Sequence, residues 1–388
     1  MLKGTTISSV VEAELPGSKA ARRPGLIAPS DRPGLIAPVA ASGPGRRGSW
    51  RGSLGAPSVV KQPEGPSVRI AVTGSIATDH LMTFPGRFVE QLMPDKLDKV
   101  ALSFLVDGLE IRRGGVAANI AFGLGCLGQR PLLVGTVGRD FAEYRAWLEA
   151  HGVDTSAVRE STLHHTARYI ATTDTDLNQI ASFYPGAMGE DSEIDLSDLA
   201  GRTDLVLIGA SDPDAMFSFT AQCRRHGMPF AADTSWQLAR MDGDQVKELV
   251  AGAAYLFSNE YEAELIEHKT GWTSEELTGQ VGIRVTTLGS AGARVDQPGQ
   301  APILVPPVPD VHPAEPTGAG DAVRSGFLAA VGWGLSLERA AQLGNLIAVH
   351  ALETTGTQEY EIKPAPLAER LSAAYGPAAG ADLAAHFS

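Results

Sequence analysis

The sequence predicts an α/β protein: a mostly parallel β-sheet covered by helices on both faces, with a small second sheet beside it. Three observations lead there. Short apolar runs recur along the chain, among them VRIAV (68–72), PLLVGTVG (131–138), LVLIGAS (205–211), PFAADTS (229–235), AYLFSN (254–259) and RVTTLG (284–289). Helical patterns such as FAEYRAWLEAHG (141–152) and DAMFSFTAQCRRHG (214–227) separate several of them. Strands that are apolar on both sides and alternate with helices belong in a parallel sheet packed on both faces. Residues 78–110 and 163–186 fit that pattern less well. They hold polar, alternating runs such as ARYIATTDTD and NQIASFYPGA, which read as a half-exposed sheet, a lid over the main one.

The bulk numbers narrow the class. The chain has 388 residues, 43% of them hydrophobic, enough for one or two buried cores. A net charge of -13 argues against nucleic acid or an anionic membrane as a partner. Cys126 and Cys223 are far apart and without metal spacing, which reads as buried thiols in a reducing compartment. No apolar run reaches the length of a membrane span and no signal pattern opens the chain, so the expected location is the cytoplasm.

Taken in order, residues 1–67 stand apart. They contain nine Pro and ten Gly, carry a net +5, and repeat RPGLIAP at 23–29 and 32–38. Such a composition predicts a disordered extension, with an ordered domain over 68–388. Val68–Val72 opens that domain as a β-rich run ending in a Gly turn. RRGGVAANIAFGLG follows: Gly114 and Gly115 lead into an Ala-rich helix, and Asn119 lies on the same helix face as Gly115. Missing side chains there let a ligand approach the backbone, with Asn119 as a partner for a hydroxyl. GLGCLG (123–128) matches the dinucleotide fingerprint by letter, but it follows a helical run and precedes a strand, so it reads as a helix end. There is no GxxxxGK[ST], HExxH, paired CxxC or GxSxG.

In open α/β sheets ligands bind beyond the carboxyl ends of the strands, which makes the Gly, Asp and Asn turns after the apolar runs candidates. In SNEYEAEL, Asn259 and Glu262 share a first helical turn. They read either as oxygen ligands for Mg²⁺ or as an ordinary N-cap. TTLGSAG (286–292) reads either as a nucleotide-lining turn or as a plain hairpin. EPTGAGD (315–321) is the sharpest signal. Gly318, Ala319 and Gly320 offer consecutive N–H groups to a transferring phosphoryl group. A carboxylate in that turn would repel a bound phosphate unless it served the attacking group, so Asp321 reads as the base that takes the proton of a hydroxyl.

A GG-x-x-x-N helix start, an N-x-x-E turn and a T-G-A-G-D turn, in that order, resemble the ribokinase-like (PfkB) kinase family from about Val68 to the C-terminus. VTGSIATDHLMTFPGRF, SFLVDGLEIRRGGVAANIAF, IASFYPGAM and TTGTQEY most resemble the adenosine kinases of actinobacteria within it. The resemblance implies a three-layer sandwich with a β-sheet lid and ATP-dependent phosphorylation of the ribose 5′-hydroxyl of adenosine to AMP. It also implies Mg²⁺, K⁺ as an optional activator, and a homodimer joined through the lid strands. Carried to matching positions, it makes Asp321 the base and Gly318 to Gly320 its anion hole. Asp79, Gly115 and Asn119 would hold the ribose hydroxyls. Ser75, Ser103 and Gln237 would surround the nucleoside, with Arg240 nearer the phosphate. Tyr169 and Phe183, on the lid strands, read as the flat apolar walls that a purine needs and a free sugar does not. Asn259 and Glu262 would serve the phosphate and metal, and Thr287 and Gly289 would border ATP. The chain departs from the pattern at Glu315, where Asp is usual, at Val323, where an aromatic is usual, and at Trp236 and Tyr169, where Gln and Phe are expected. Two other readings remain: a ribose or fructose kinase of the same family, and a catalytically silent ligand sensor on the same fold.

Overall fold

The computed structural model describes residues 68–92 and 103–387. The Pro/Gly-rich segment 1–67, and the expectation drawn for it, lies outside the described residues.

Nine strands form the central sheet: β1 (Ile70–Thr73), β4 (Leu132–Val137), β5 (Asp154–Glu160), β8 (Leu205–Ile208), β9 (Phe230–Asp233), β10 (Tyr255–Asn259), β11 (Ile283–Thr287), β12 (Ala293–Asp296) and β13 (Ile303–Val305). Their spatial order is β13-β12-β11-β10-β9-β8-β1-β4-β5. All neighbours from β11 to β5 run parallel, while β12 and β13 add an antiparallel edge. β1, β8 and β9 are buried along their whole length, as unbroken apolar runs require. Each face of the sheet carries its own core. One centres on Phe122, Phe257 and Phe327, the other on Met216, Phe219 and Leu256, so the sheet is the middle layer of three.

The small sheet has the order β3-β2-β6-β7, from β2 (Ala77–Thr83), β3 (Gly108–Gly114), β6 (Ala167–Thr173) and β7 (Gln179–Tyr184). Its polar alternation was visible in the sequence, but β3 runs on to Gly114, past the expected edge at 110. The TTLGSAG segment is the turn of the β11–β12 antiparallel pair, so the hairpin reading describes its backbone. GLGCLG ends the helix Val116–Cys126, with Leu127 as its C-cap.

Candidate active site

The site forms where the carboxyl ends of the parallel strands meet the small sheet. The helix Ala319–Gly332 begins there, with Gly318 as N-cap at φ 79°, in the left-handed region. A Cβ on Gly318 would stand 2.9 Å from Thr357 Cγ2, so only glycine fits between the turn and the 354–360 loop. The same logic governs Gly115 at φ 96°, where a Cβ would fall 2.5 Å from the Ser75 carbonyl oxygen. Ala319 N donates to the Pro316 carbonyl at 3.4 Å, while the Gly320 and Asp321 N–H groups, at the start of the helix, have no intrahelical acceptor.

Asp321 sits in that first turn. It reaches the cleft yet is densely surrounded, and burial pushes its carboxyl up to about 7, against the pull of Arg324 and Asn119. Asn119 Nδ2 donates to Asp321 Oδ2 at 2.8 Å. The amide cannot be turned round. Its oxygen accepts from Thr357 Oγ1 and Gln358 Nε2, both at 2.9 Å, and Gln358 in turn donates to Tyr144 Oη at 2.5 Å. Tyr144 donates to the Gly114 carbonyl at 2.9 Å. This chain of donors fixes which face of Asn119 meets the carboxylate, and leaves Asp321 Oδ1 open. Asn119 was expected on a ribose hydroxyl; one of its N–H groups is taken by Asp321, and the other is unengaged among the described residues.

Arg324, one turn further along the helix, is buried and its Nη2 donates to Asp233 Oδ1 at 2.7 Å, at the end of β9. Neither residue was singled out from the sequence. The signal available was spacing, since Arg324 lies three positions after Asp321 and so on the same helix face. Thr357 and Gln358 were likewise missed, although they lie inside the quoted TTGTQEY.

Asn259 and Glu262 form a reciprocal capping box: Glu262 N donates to Asn259 Oδ1 at 2.7 Å, and Asn259 N donates to Glu262 Oε2 at 2.8 Å. The N-cap reading therefore holds, and Asn259 Oδ1, expected as a metal ligand, is already an acceptor in the cap. Glu262 keeps Oε1. Its carboxyl is raised by burial and by Asp233, with Arg324 opposing. Among the described residues no cluster of three acidic, His or Cys side chains could cage a metal. That donor set fits Mg²⁺ held mainly by nucleotide phosphates and water, with Glu262 as an outer partner. Thr287 is the direct register partner of Asn259, and Gly289 follows at φ 55° with open space around it.

On the small sheet, Arg112, Asp79, Tyr169 and Phe183 are paired in one row across β3, β2, β6 and β7. Asp79 has no hydrogen-bond partner among the described residues. Its carboxyl is raised to about 6, first by burial and then by Glu315, with Arg112 opposing. Arg112 Nη1 is 2.7 Å from Glu315 Oε2, which also accepts from Gly356 N at 3.1 Å. A guanidinium already neutralises Glu315, so the residues present do not fit a potassium ion at that carboxylate.

Three further residues expected around the nucleoside are placed as follows. Gln237 is 1% exposed, and its amide donates to the Ser211 carbonyl, because it anchors the turn after β9. Ser75 is buried and its Oγ accepts from Val116 N at 3.0 Å, capping a helix whose own N-cap is a glycine. Ser103 is exposed ahead of β3, and Arg240 is exposed at the end of the turn that holds Gln237.

A family model described as pfkB family carbohydrate kinase matches residues 74–364. The chain is 30% identical over 272 residues to a nucleoside kinase of Methanothermobacter thermautotrophicus, covering 68% of this chain and 85% of that protein. A nucleoside kinase of Burkholderia thailandensis, solved in complex with inosine, superposes with a TM-score of 0.69 at 32% identity, covering 79% of this chain and 98% of that one. The Methanocaldococcus jannaschii nucleoside kinase, described as an archaeal member of the ribokinase family, superposes at 0.70 with 25% identity, covering 80% and 100%.

Proposed function

We propose that this chain, which belongs to the pfkB family of carbohydrate kinases, transfers a phosphoryl group from ATP to the 5′-hydroxyl of a purine nucleoside, adenosine foremost. The chain is a nucleoside or sugar kinase of the ribokinase fold. The observation that supports transfer to a hydroxyl is Asp321: a carboxylate with one free oxygen, held by Asn119, in the glycine turn that opens a helix.

In this reading the ribose diol donates to Asp79, whose unpartnered carboxylate lies on the cleft side of the small sheet. The 5′-hydroxyl then points at Asp321 Oδ1. As the new bond forms from O5′ to the γ-phosphorus, the hydroxyl proton passes to Asp321 and the bond from that phosphorus to the β–γ bridging oxygen breaks, releasing ADP. The N–H groups of the Gly318–Gly320 turn face the charge that spreads over the transferring oxygens. Arg324, neutralised by Asp233, keeps the helix start beside the strand ends. Mg²⁺ bound with the nucleotide would supply charge neutralisation, with Glu262 Oε1 as its nearest candidate partner in this chain.

The outer face of the small sheet supports the homodimer reading. Leu109 and Ile111 on β3 and Ile180 on β7 are 60%, 59% and 48% exposed, an apolar strip suited to a second copy. Measuring ATP consumption against adenosine, inosine, ribose and fructose tests the function. Adenosine should give the highest kcat/KM; a wild type faster on ribose or fructose overturns the nucleoside assignment, and no turnover on any acceptor overturns the kinase reading of Asp321.

A further inference from the structure

Trp236 is 43% exposed and Phe183 is 41% exposed, unusual for side chains of this size. They come from different parts of the fold, Phe183 from β7 of the small sheet and Trp236 from the turn after β9 of the central sheet. Their ring centroids lie 5.9 Å apart with planes at 62°, an edge-to-face contact across the cleft. The turn presents Trp236 deliberately. Ser235, the residue before it, is held at φ 44°, a left-handed conformation costly for a residue other than glycine. Gln237, the residue after it, is buried and tied to the Ser211 carbonyl. A backbone fixed on both sides of an exposed indole gives that ring one position.

Strand register measures where that position lies. Asp79, Tyr169 and Phe183 are directly paired across β2, β6 and β7, so their side chains share one face. Both ends of the row reach the main body of the fold, Arg112 through Glu315 and Phe183 through Trp236, so this face looks into the cleft. Adjacent strands are about 4.8 Å apart, which puts Phe183 about 10 Å from Asp79. A ligand whose diol meets Asp79 reaches the two aromatics only if a flat group extends from its sugar.

We propose that Trp236 and Phe183 together form the base subsite, and that Trp236 is the residue selecting purine nucleosides over pyrimidine nucleosides and free sugars. The proposal rests on the nucleoside-kinase reading above. Two rings set edge to face make a corner, with one flat surface for stacking and the other ring as a wall. A two-ring purine covers more of both surfaces than a one-ring pyrimidine. No side-chain amide is left to read the base edge at this turn, because Gln237 is turned inward; shape and stacking carry the choice.

The experiment compares wild type, Trp236→Ala and Trp236→Phe on adenosine, cytidine and ATP, with melting temperatures alongside. Trp236→Ala should raise KM for adenosine roughly five- to 150-fold, the range of one base–aromatic stack. The cytidine KM should rise less, the ATP KM should not move, and Trp236→Phe should restore most of the loss. An unchanged adenosine KM in Trp236→Ala, an equal loss on adenosine and cytidine, or a lowered melting temperature that Trp236→Phe shares would each overturn the base subsite. A wild type that phosphorylates sugars and no nucleoside would instead overturn the nucleoside reading itself, whatever the variants do.

Discussion

Asp321 is the residue on which chemistry and stability pull in opposite directions. Burial raises its carboxyl from the ordinary value near 3.8 to about 7. Between those values the folded protein holds a proton there that the unfolded chain has released, so this group's contribution to stability falls as pH rises through that window. Catalysis needs the opposite state. A base must be unprotonated, so kcat/KM should climb from pH 5 and level off above about pH 7. Asp321→Asn should lose roughly 10²–10⁴ in kcat, abolish the part of that limb that appears in kcat, and leave nucleoside affinity nearly unchanged. Its melting temperature at pH 8 should be no lower than that of wild type, since a costly buried charge is gone. A variant with near-normal kcat would remove Asp321 from the base role. What was legible in the sequence is the place of Asp321 in a Gly-rich turn that opens a helix; the base role drawn from that place is what the kcat measurement decides. Asn119 was half legible: its place on the helix face showed, but its true partners, Asp321, Thr357 and Gln358, are 202 to 239 positions away. Spacing on one helix cannot reveal them.

At the scale of elements, the buried parallel strands were legible because burial on both faces leaves an unbroken apolar run. β5, β12 and β13 were not: β5 and β13 are the edges of the sheet, with solvated positions as in DTSAVRE, and β12 is only four residues long with the exposed Arg294 inside it. The small sheet's row from Arg112 to Phe183 was also hidden, since its register depends on pairing between strands as well as on the pattern within each, and Asp79 meets partners 33 and 90 positions away. That row has its own consequence for binding. Arg112 lies between Glu110, Glu315 and Asp79, and holds the Asp79 carboxyl below where burial and Glu315 would take it. Arg112→Gln should let that carboxyl rise further, so that more of it is protonated at neutral pH and accepts hydroxyl donors less well. We expect a several-fold higher nucleoside KM at pH 7 that narrows above pH 8, with kcat little changed. A KM increase of the same size at every pH would show that Arg112 acts only by holding the small sheet in place.

For the molecule as a whole, every side chain assigned to the site lies between Ser75 and Gln358. Residues 1–67, rich in Pro and Gly, have the composition of a segment that buries too little apolar surface to join a packed core. A chain beginning at Val68 should therefore match the full chain in kcat/KM for adenosine and in melting temperature; a clear drop in either would mean the extension completes the fold. The assigned residues also have an order of synthesis. Asn119 is made about two hundred residues before Asp321, and the loop that fixes its amide, Thr357 and Gln358, comes later still. While the chain is growing, the turn that would cradle a phosphoryl group has no aligned base, and the orienting amide lacks both donors to its oxygen. Contacts this distant in sequence close slowly and late. A ribosome-bound or truncated product ending before Gln358 could thus hold a sheet and even a nucleotide without the means to spend it, and the same long-range closure makes the carboxyl-terminal hundred residues the ones whose docking turns a folded scaffold into a working enzyme.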